Sequence, residues 1–416
     1  MQGLQMMYQS YQTYENLIDP VRFLAGSAEK VTKRWLGNLN VNPVQRLAAY
    51  YEQLALLGFT HVRPDFGIET VTDSFGLTTR MTEEVVFSTP FCQLLHFKKE
   101  YDADQKNVID HPKVLLVAPM SGHFATLLSG TVKTLLRDHD VYITDWQNIR
   151  DISPESGVFD FDAYVEHVLL SIEAIGEGVH LIGVCQPTVA CLIATAVLSE
   201  DKSPLAPRSL TLMAGPIDVR INPTKVNELA NQKPIEWFKE KLIGIVPAQF
   251  PGAGRSVYPG FIQLTAFMSM NAERHMESFQ KLYEYRVAGE EEKADAIHNF
   301  YAEYFAIMDL SAPFYLETVE KIFQNCELAT GVLTYKGRLV NPRAIRKTFL
   351  LTVEGERDDI CGLGQTLAAQ DLCSALPGYM KSHHMQAGVG HYGVFNGSRW
   401  DGQIYPAVRH FIQSSR

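Results

Sequence analysis

The feature that most constrains this chain is a rhythm of short apolar runs set between helical stretches, at residues 114–118, 141–144, 179–184, 210–214 and 349–353. Runs that are apolar on both faces and joined by helices are what a parallel sheet covered on each side requires. Ahead of them, residues 83–89 and 92–97 flank a turn at Pro90 and predict an antiparallel hairpin that starts the sheet; 380–385 is the last strand-like run. The rhythm stops between Pro216 and about Pro342, where the text becomes helical and aromatic, with Phe261, Phe267, Phe300, Tyr301, Tyr304 and Phe314 among its rings. At 416 residues the chain exceeds the ~250–300 at which one hydrophobic core stops growing, so one large domain with an insertion is expected. The divisions are a helical N-terminal extension (1–76), an α/β core (77–215 and 343–416) and an inserted helical cap (216–342). Within the extension, Val44, Leu47, Tyr50, Tyr51 and Leu54 recur three and four apart as one apolar face. Taken singly, the cap's rings read as extra core; as a group they would line a mouth at the sheet's C-terminal edge.

Composition narrows the functional classes. With 37 basic against 47 acidic residues the net charge is −10, and no Lys/Arg block is present, which argues against nucleic acid as a partner. The first ten residues lack the positive start and apolar stretch of a secretory signal, so a cytoplasmic protein is expected. No apolar run approaches the ~18–20 residues that span a bilayer, so no membrane partner is expected. Six cysteines without CxxC spacing suggest neither a zinc site nor a disulfide framework; free thiols, no metal and no cofactor are the expectation.

The chemistry concentrates at three places. Residues 181–194 read as a buried strand, a tight turn at Cys185 and a helix, the context of a nucleophile elbow in an α/β-hydrolase fold. Gly183 would leave room for the turn, and the Gln186 N–H would face the reaction centre. The usual G-x-S-x-G pattern has a second glycine where this chain has Pro187, a residue tolerated in the first turn of a helix. A cysteine after an apolar strand is otherwise most often an inert buried residue. Residues 349–360 read as a second buried strand ending in an acidic turn, where Asp358 would orient a histidine with Asp359 as its close competitor, and where a cap on the following helix would fit Asp359 better. His391, between Gly390 and Gly393 in a loop after the last strand, could reach back toward Cys185, although a solvated loop histidine fits the same residues. The order Cys185, Asp358, His391 is that of nucleophile, acid and base in this fold. A second oxyanion donor is expected from the loop at 118–125, from the amide of Met120 or Ser121, with Gly122 supplying the unusual backbone angles. His123 reads as an ordinary helix-start residue, with a supporting role as the alternative.

Taken together, Gly183-Val184-Cys185-Gln186-Pro187-Thr188, Gly355-Glu356-Arg357-Asp358-Asp359-Ile360 and Gly388-Val389-Gly390-His391-Tyr392-Gly393 resemble the intracellular poly(3-hydroxybutyrate) depolymerases, and the similarity covers nearly the whole chain. In that family cysteine followed by Gln-Pro replaces the lipase-box serine, so Pro187 fits the pattern. The resemblance implies hydrolysis of the ester bonds of amorphous storage polyester, with Cys185, Asp358 and His391 in the family's catalytic positions. It also implies a granule-associated enzyme in the cytoplasm, acting on the granule surface or on its oligomers; a homo-oligomer fits as well as a monomer. Two other readings compete. One is acyl transfer to coenzyme A or to a growing polymer, as in the related synthases, whose G-x-C-x-G pattern this chain breaks at Pro187. The other is a granule-coating scaffold that kept the fold and lost the chemistry.

Overall fold

The structure, a computed structural model, describes residues 2–36, 42–56, 58–101, 110–270 and 272–415. Helices α1 (Gln2–Leu36) and α2 (Asn42–Leu56) pack against each other at the N-terminus. The expected helical extension ends there: residues 58–69 are irregular, and β1 (Thr70–Thr72) already belongs to the sheet. The expected apolar face of α2 is also corrected, because Leu47 and Tyr50 are exposed while Ala48, Ala49, Glu52 and Leu56 are buried. The cause is electrostatic. Arg286, far along the chain, donates to the Glu52 carboxylate at 2.8 Å, and this buried pair turns the polar residue inward. Arg286 also pairs with Glu291 and with Asp295, and His298 Nδ1 lies 2.9 Å from Glu52, so the inward carboxylate is held by a network rather than by one partner.

The chain then builds β2 (Thr78–Ser88), β3 (Cys92–Glu100), β4 (Lys113–Val117), α3 (Ser129–Leu135), β5 (Asp140–Trp146), α4 (Phe161–Ile175), β6 (His180–Val184), α5 (Pro187–Glu200) and β7 (Ser209–Met213). The insertion follows, with α6 (Lys225–Gln232), α7 (Ile235–Lys241), α8 (Gly260–Met270), α9 (Ala272–Ala288), α10 (Glu291–Tyr304) and α11 (Ala312–Thr318). It is not purely helical: β8 (Gly244–Ile245), β9 (Ser256–Tyr258) and β10 (Leu310–Ser311) form a small sheet, and β11 (Thr334–Tyr335) pairs with β12 (Arg338–Leu339). Strands β13 (Phe349–Gly355) and β14 (Lys381–Gln386) complete the main sheet.

That sheet has nine strands in the order β1-β2-β3-β5-β4-β6-β7-β13-β14. The pairing is antiparallel from β1 through β3 to β5 and parallel from β5 onward, so the hairpin read at residues 83–97 is the sheet's antiparallel start. This is the α/β-hydrolase fold. Its central strands are buried on both faces; every residue from Val114 to Val117 has no exposed surface. Each such Val or Leu side chain contributes roughly 1.5–3 kcal/mol of burial, which explains why these runs do not alternate. The chain steps outward from β4 to β5 and returns on the other side of β4 to make β6. That reversal opens a crevice at the C-terminal ends of β4 and β6.

The insertion's apolar side chains divide between two clusters. Met308, Leu310, Phe314 and Ile322 join the main core, whereas Leu264, Leu282, Tyr301, Tyr304 and Phe305 form a second cluster with Leu56 of α2.

Candidate active site

Cys185 leaves β6 with φ at 66°, a left-handed conformation that costs a side-chain-bearing residue roughly 1–3 kcal/mol unless its surroundings enforce it. They do so here. Its N–H donates to the Met213 carbonyl at 2.7 Å, and its own carbonyl accepts from the Thr188 hydroxyl at 2.8 Å and the Thr188 N–H at 3.1 Å. Pro187 occupies the first turn of α5, as its fixed φ predicts. Gly183 is required by space, since a Cβ there would lie 2.9 Å from Cys191 Sγ and 3.1 Å from the Thr188 Cα. Cys185 is partly exposed, whereas the other five cysteines are buried. Burial pushes the thiols of Cys92, Cys191, Cys326, Cys361 and Cys373 upward, which leaves them un-ionised and inert.

Asp358 follows β13, and its two carboxylate oxygens have different partners. Oδ1 accepts from the backbone N–H groups of Ile360 at 2.9 Å and Cys361 at 2.8 Å; Oδ2 meets His391 Nδ1 at 2.8 Å. The turn-capping role expected of Asp359 therefore belongs to Asp358, and Asp359 instead lines a cavity beside His391. The His391 loop is clamped to the end of β13. The Arg357 N–H donates to the Val389 carbonyl at 2.9 Å, and the Gly388 N–H to Glu356 Oε2 at 2.7 Å. Gly355 permits this approach, because a Cβ there would sit 2.6 Å from the Val389 oxygen. His391 is buried rather than a solvated loop residue. Burial favours its neutral form, but the Asp358 carboxylate and the Cys185 side chain, through charge and hydrogen bonding, outweigh that and hold its pKa well above the ordinary histidine value. The three residues singled out from the sequence thus converge, with the imidazole between carboxylate and sulfur.

Around the amides expected to face the reaction centre the geometry is more particular than the sequence suggested. Gln186 Oε1 accepts from the Tyr164 hydroxyl at 2.9 Å and from the Met120 N–H at 3.4 Å. The Met120 amide is thereby brought to the elbow, while no such contact involves Ser121 among the described residues. Gly122 has φ at 86°, the left-handed conformation expected of it, and its carbonyl accepts from Met308. The part played by the Gln186 side chain and Tyr164 had no signal in the sequence, because they meet only through tertiary packing.

A cavity of about 240 Å³ opens beside His391, walled by Phe267, Phe300, Tyr301 and Tyr304 of the insertion together with Tyr392. The aromatic group expected at the mouth is there, although Phe238, Tyr258 and Phe314 are ordinary core. His123 is not a mere helix start: it is buried, its ring centroid lies 5.0 Å from that of Tyr304 and 6.4 Å from that of Phe267, and burial pushes its pKa down to about 4.

Residues 214–416 match the family model described as "PHB de-polymerase C-terminus", which bears out the resemblance drawn from the sequence. No curated protein matches the chain. Solved structures that align with it include the 2-hydroxy-6-oxo-6-phenylhexa-2,4-dienoate hydrolase BphD of Rhodococcus sp. strain RHA1, at 12% identity over 80% of this chain and 99% of that one, with a TM-score of 0.43. A thermophilic esterase from Thermogutta terrifontis aligns at 15% identity over 83% and 98%, with a TM-score of 0.39. Carboxyl esterase 2 of the fungus Tuber melanosporum aligns at 14% over 85% and 95%, with a TM-score of 0.42.

Proposed function

We propose that this protein hydrolyses ester bonds of poly(3-hydroxybutyrate) or its oligomers, with Cys185 as nucleophile, His391 as general base and acid, and Asp358 as the group that orients it. The observation that carries the reading is the imidazole of His391, engaged by Asp358 and by the Cys185 side chain; His391 and Asp358, though not Cys185, lie in the region that matches a polyester depolymerase model. His391 takes the thiol proton, and the sulfur attacks the ester carbonyl. The resulting oxyanion is held by the Gln186 N–H and by the Met120 N–H, which exchanges its long 3.4 Å contact with Gln186 Oε1 for the oxyanion; such donors are worth roughly 2.7–4 kcal/mol each in the transition state. Collapse of the adduct breaks the bond between acyl carbon and alcohol oxygen, His391 protonates the departing alcohol, and a thioester remains on Cys185. A water molecule that gives its proton to His391 attacks the thioester, releases the acid and restores the thiol.

In this reading the catalytic core is the expected 77–215 and 343–416 extended back to β1 at Thr70, and the insertion 216–342 is a cap over its mouth. The aromatic cavity wall supports an apolar, flexible substrate. The test is turnover of amorphous polyester granules, with the soluble products identified by mass spectrometry. Cys185→Ala should lower the rate by roughly ~10³-fold or more. Undiminished turnover by that variant would refute the mechanism. Granule binding without soluble product would instead support a scaffold, and products appearing as coenzyme A esters only when coenzyme A is added would support acyl transfer.

A further inference from the structure

The cavity beside His391 carries an exposed cation, Arg274, beside its aromatic wall and together with the Asp359 carboxylate. Arg274, near the start of α9, lines it, and a guanidinium nitrogen lies 3.9 Å from the point where a Cβ on Gly390 would stand, immediately before the histidine. Arg274 has no ion pair within 4.0 Å among the described residues, whereas Arg63, Arg286 and Arg338 all do. Close to it are the Tyr301 hydroxyl, hydrogen-bonded to His275 Nδ1 at 2.8 Å, and the Ser278 hydroxyl, which donates to the Arg274 carbonyl. His275 adds no charge at neutral pH, since burial and then Arg274 itself hold its pKa below the ordinary value. Asp359 is the carboxylate that shares the cavity.

We propose that Arg274 binds the terminal carboxylate of a polyester chain and makes the enzyme cleave from that end, one hydroxyacid per turnover. This rests on the polyester reading above. The direction follows from the chemistry of the two sides of the sulfur. The oxyanion lies toward Gln186 and Met120, and the departing alcohol lies toward His391, which protonates it. In a poly(3-hydroxyacid) the alcohol fragment is the one that carries the free carboxylate, so a guanidinium on the histidine side meets the carboxylate of the leaving unit. A short cavity of about 240 Å³ suits a single leaving hydroxyacid better than a long chain. A guanidinium pairs with a carboxylate through two parallel hydrogen bonds and discriminates strongly against the uncharged ester.

The experiment compares kcat/KM for a 3-hydroxybutyrate trimer with a free carboxylate and for the same trimer capped as its methyl ester, in wild type, Arg274→Gln and Arg274→Lys. Wild type should prefer the free acid by about 10-fold or more, the size of a charge-assisted hydrogen-bonded pair. Arg274→Gln should bring that ratio close to one, mainly through KM, and Arg274→Lys should keep part of it. A wild-type ratio near one, or a ratio that survives Arg274→Gln, overturns the carboxylate site while leaving ester hydrolysis intact. Failure of wild type to cleave either trimer overturns the polyester reading and this inference with it. Monomer as the first product from the free trimer is the expected companion result; dimer and monomer rising together from longer capped chains at equal rates would contradict end recognition.

Discussion

The two walls of the site are built differently. On one side the proposed reacting groups sit at the ends of β6 and β13 and in the loop after β14, each fixed by backbone hydrogen bonds to the sheet. On the other, the insertion supplies side chains from helices that pack in a second apolar cluster with α2. The first wall is specified atom by atom, because a misplaced sulfur or imidazole does no chemistry. The second is specified by volume and by a few polar groups, which is sufficient to choose a substrate.

That contrast can be broken most severely at the imidazole's partner. Asp358→Asn keeps a similar shape but removes the charge that stabilises the imidazolium, and the rate of ester cleavage should fall by roughly ~10²–10⁴-fold with KM little changed. Single-turnover acylation of Cys185 by an activated ester is the measurement; a normal acylation rate would show that Asp358 serves only the turn. Next in size is Gly183→Ala, which the sheet-side wall should tolerate poorly. The added Cβ meets Cys191 Sγ and the backbone of Thr188, so a loss of roughly 1–3 kcal/mol in urea unfolding is expected. An alanine of the same kind on the insertion side, Phe300→Ala, would be a useful comparison, since its consequence should lie in KM.

The smallest effect tests the seam between the walls. His123 lies on that seam, bridged to Ile307, parallel to the Phe267 ring and tilted against Tyr304, and burial lowers its pKa to about 4. A depressed histidine pKa means that the unfolded chain takes up the proton first, so stability is full above about pH 6.5 and declines as pH falls toward 4. His123→Gln should therefore lose about 2 kcal/mol less than wild type between pH 7 and 4.5, read from urea midpoints at both pH values. Equal losses would mean that the ring gains access to water on acidification. Asp145, whose buried carboxyl is pushed up to about 6, works in the opposite sense, so the variant comparison and not the absolute trend is decisive.

The sheet-side wall was largely legible in the sequence because its signals are local. A buried run followed by Cys185, a strand ending at Asp358 and a glycine-flanked His391 each announce themselves within about ten residues. What escaped was non-local. The choice between Asp358 and Asp359 as turn cap depends on which carboxylate points back under the Ile360 and Cys361 amides, and nearness to the following helical stretch had favoured Asp359. The inward turn of Glu52 depends on Arg286, 234 positions further along the numbering, against an apolar periodicity that pointed the other way. The hold on Gln186 by Tyr164 is of the same kind: a strand-to-helix turn meets a hydroxyl from another helix only once the sheet has formed.

The left-handed backbone at Cys185 has a consequence for which atom would do the proposed chemistry. Met213 and Thr188 enforce that conformation through main-chain atoms of Cys185, and neither contact uses its sulfur. Any small residue at this position would inherit the same outward aim and the same imidazole neighbour. The scaffold therefore chooses a place for a nucleophile and leaves its element open, so that oxygen and sulfur are exchangeable cargo in one mount.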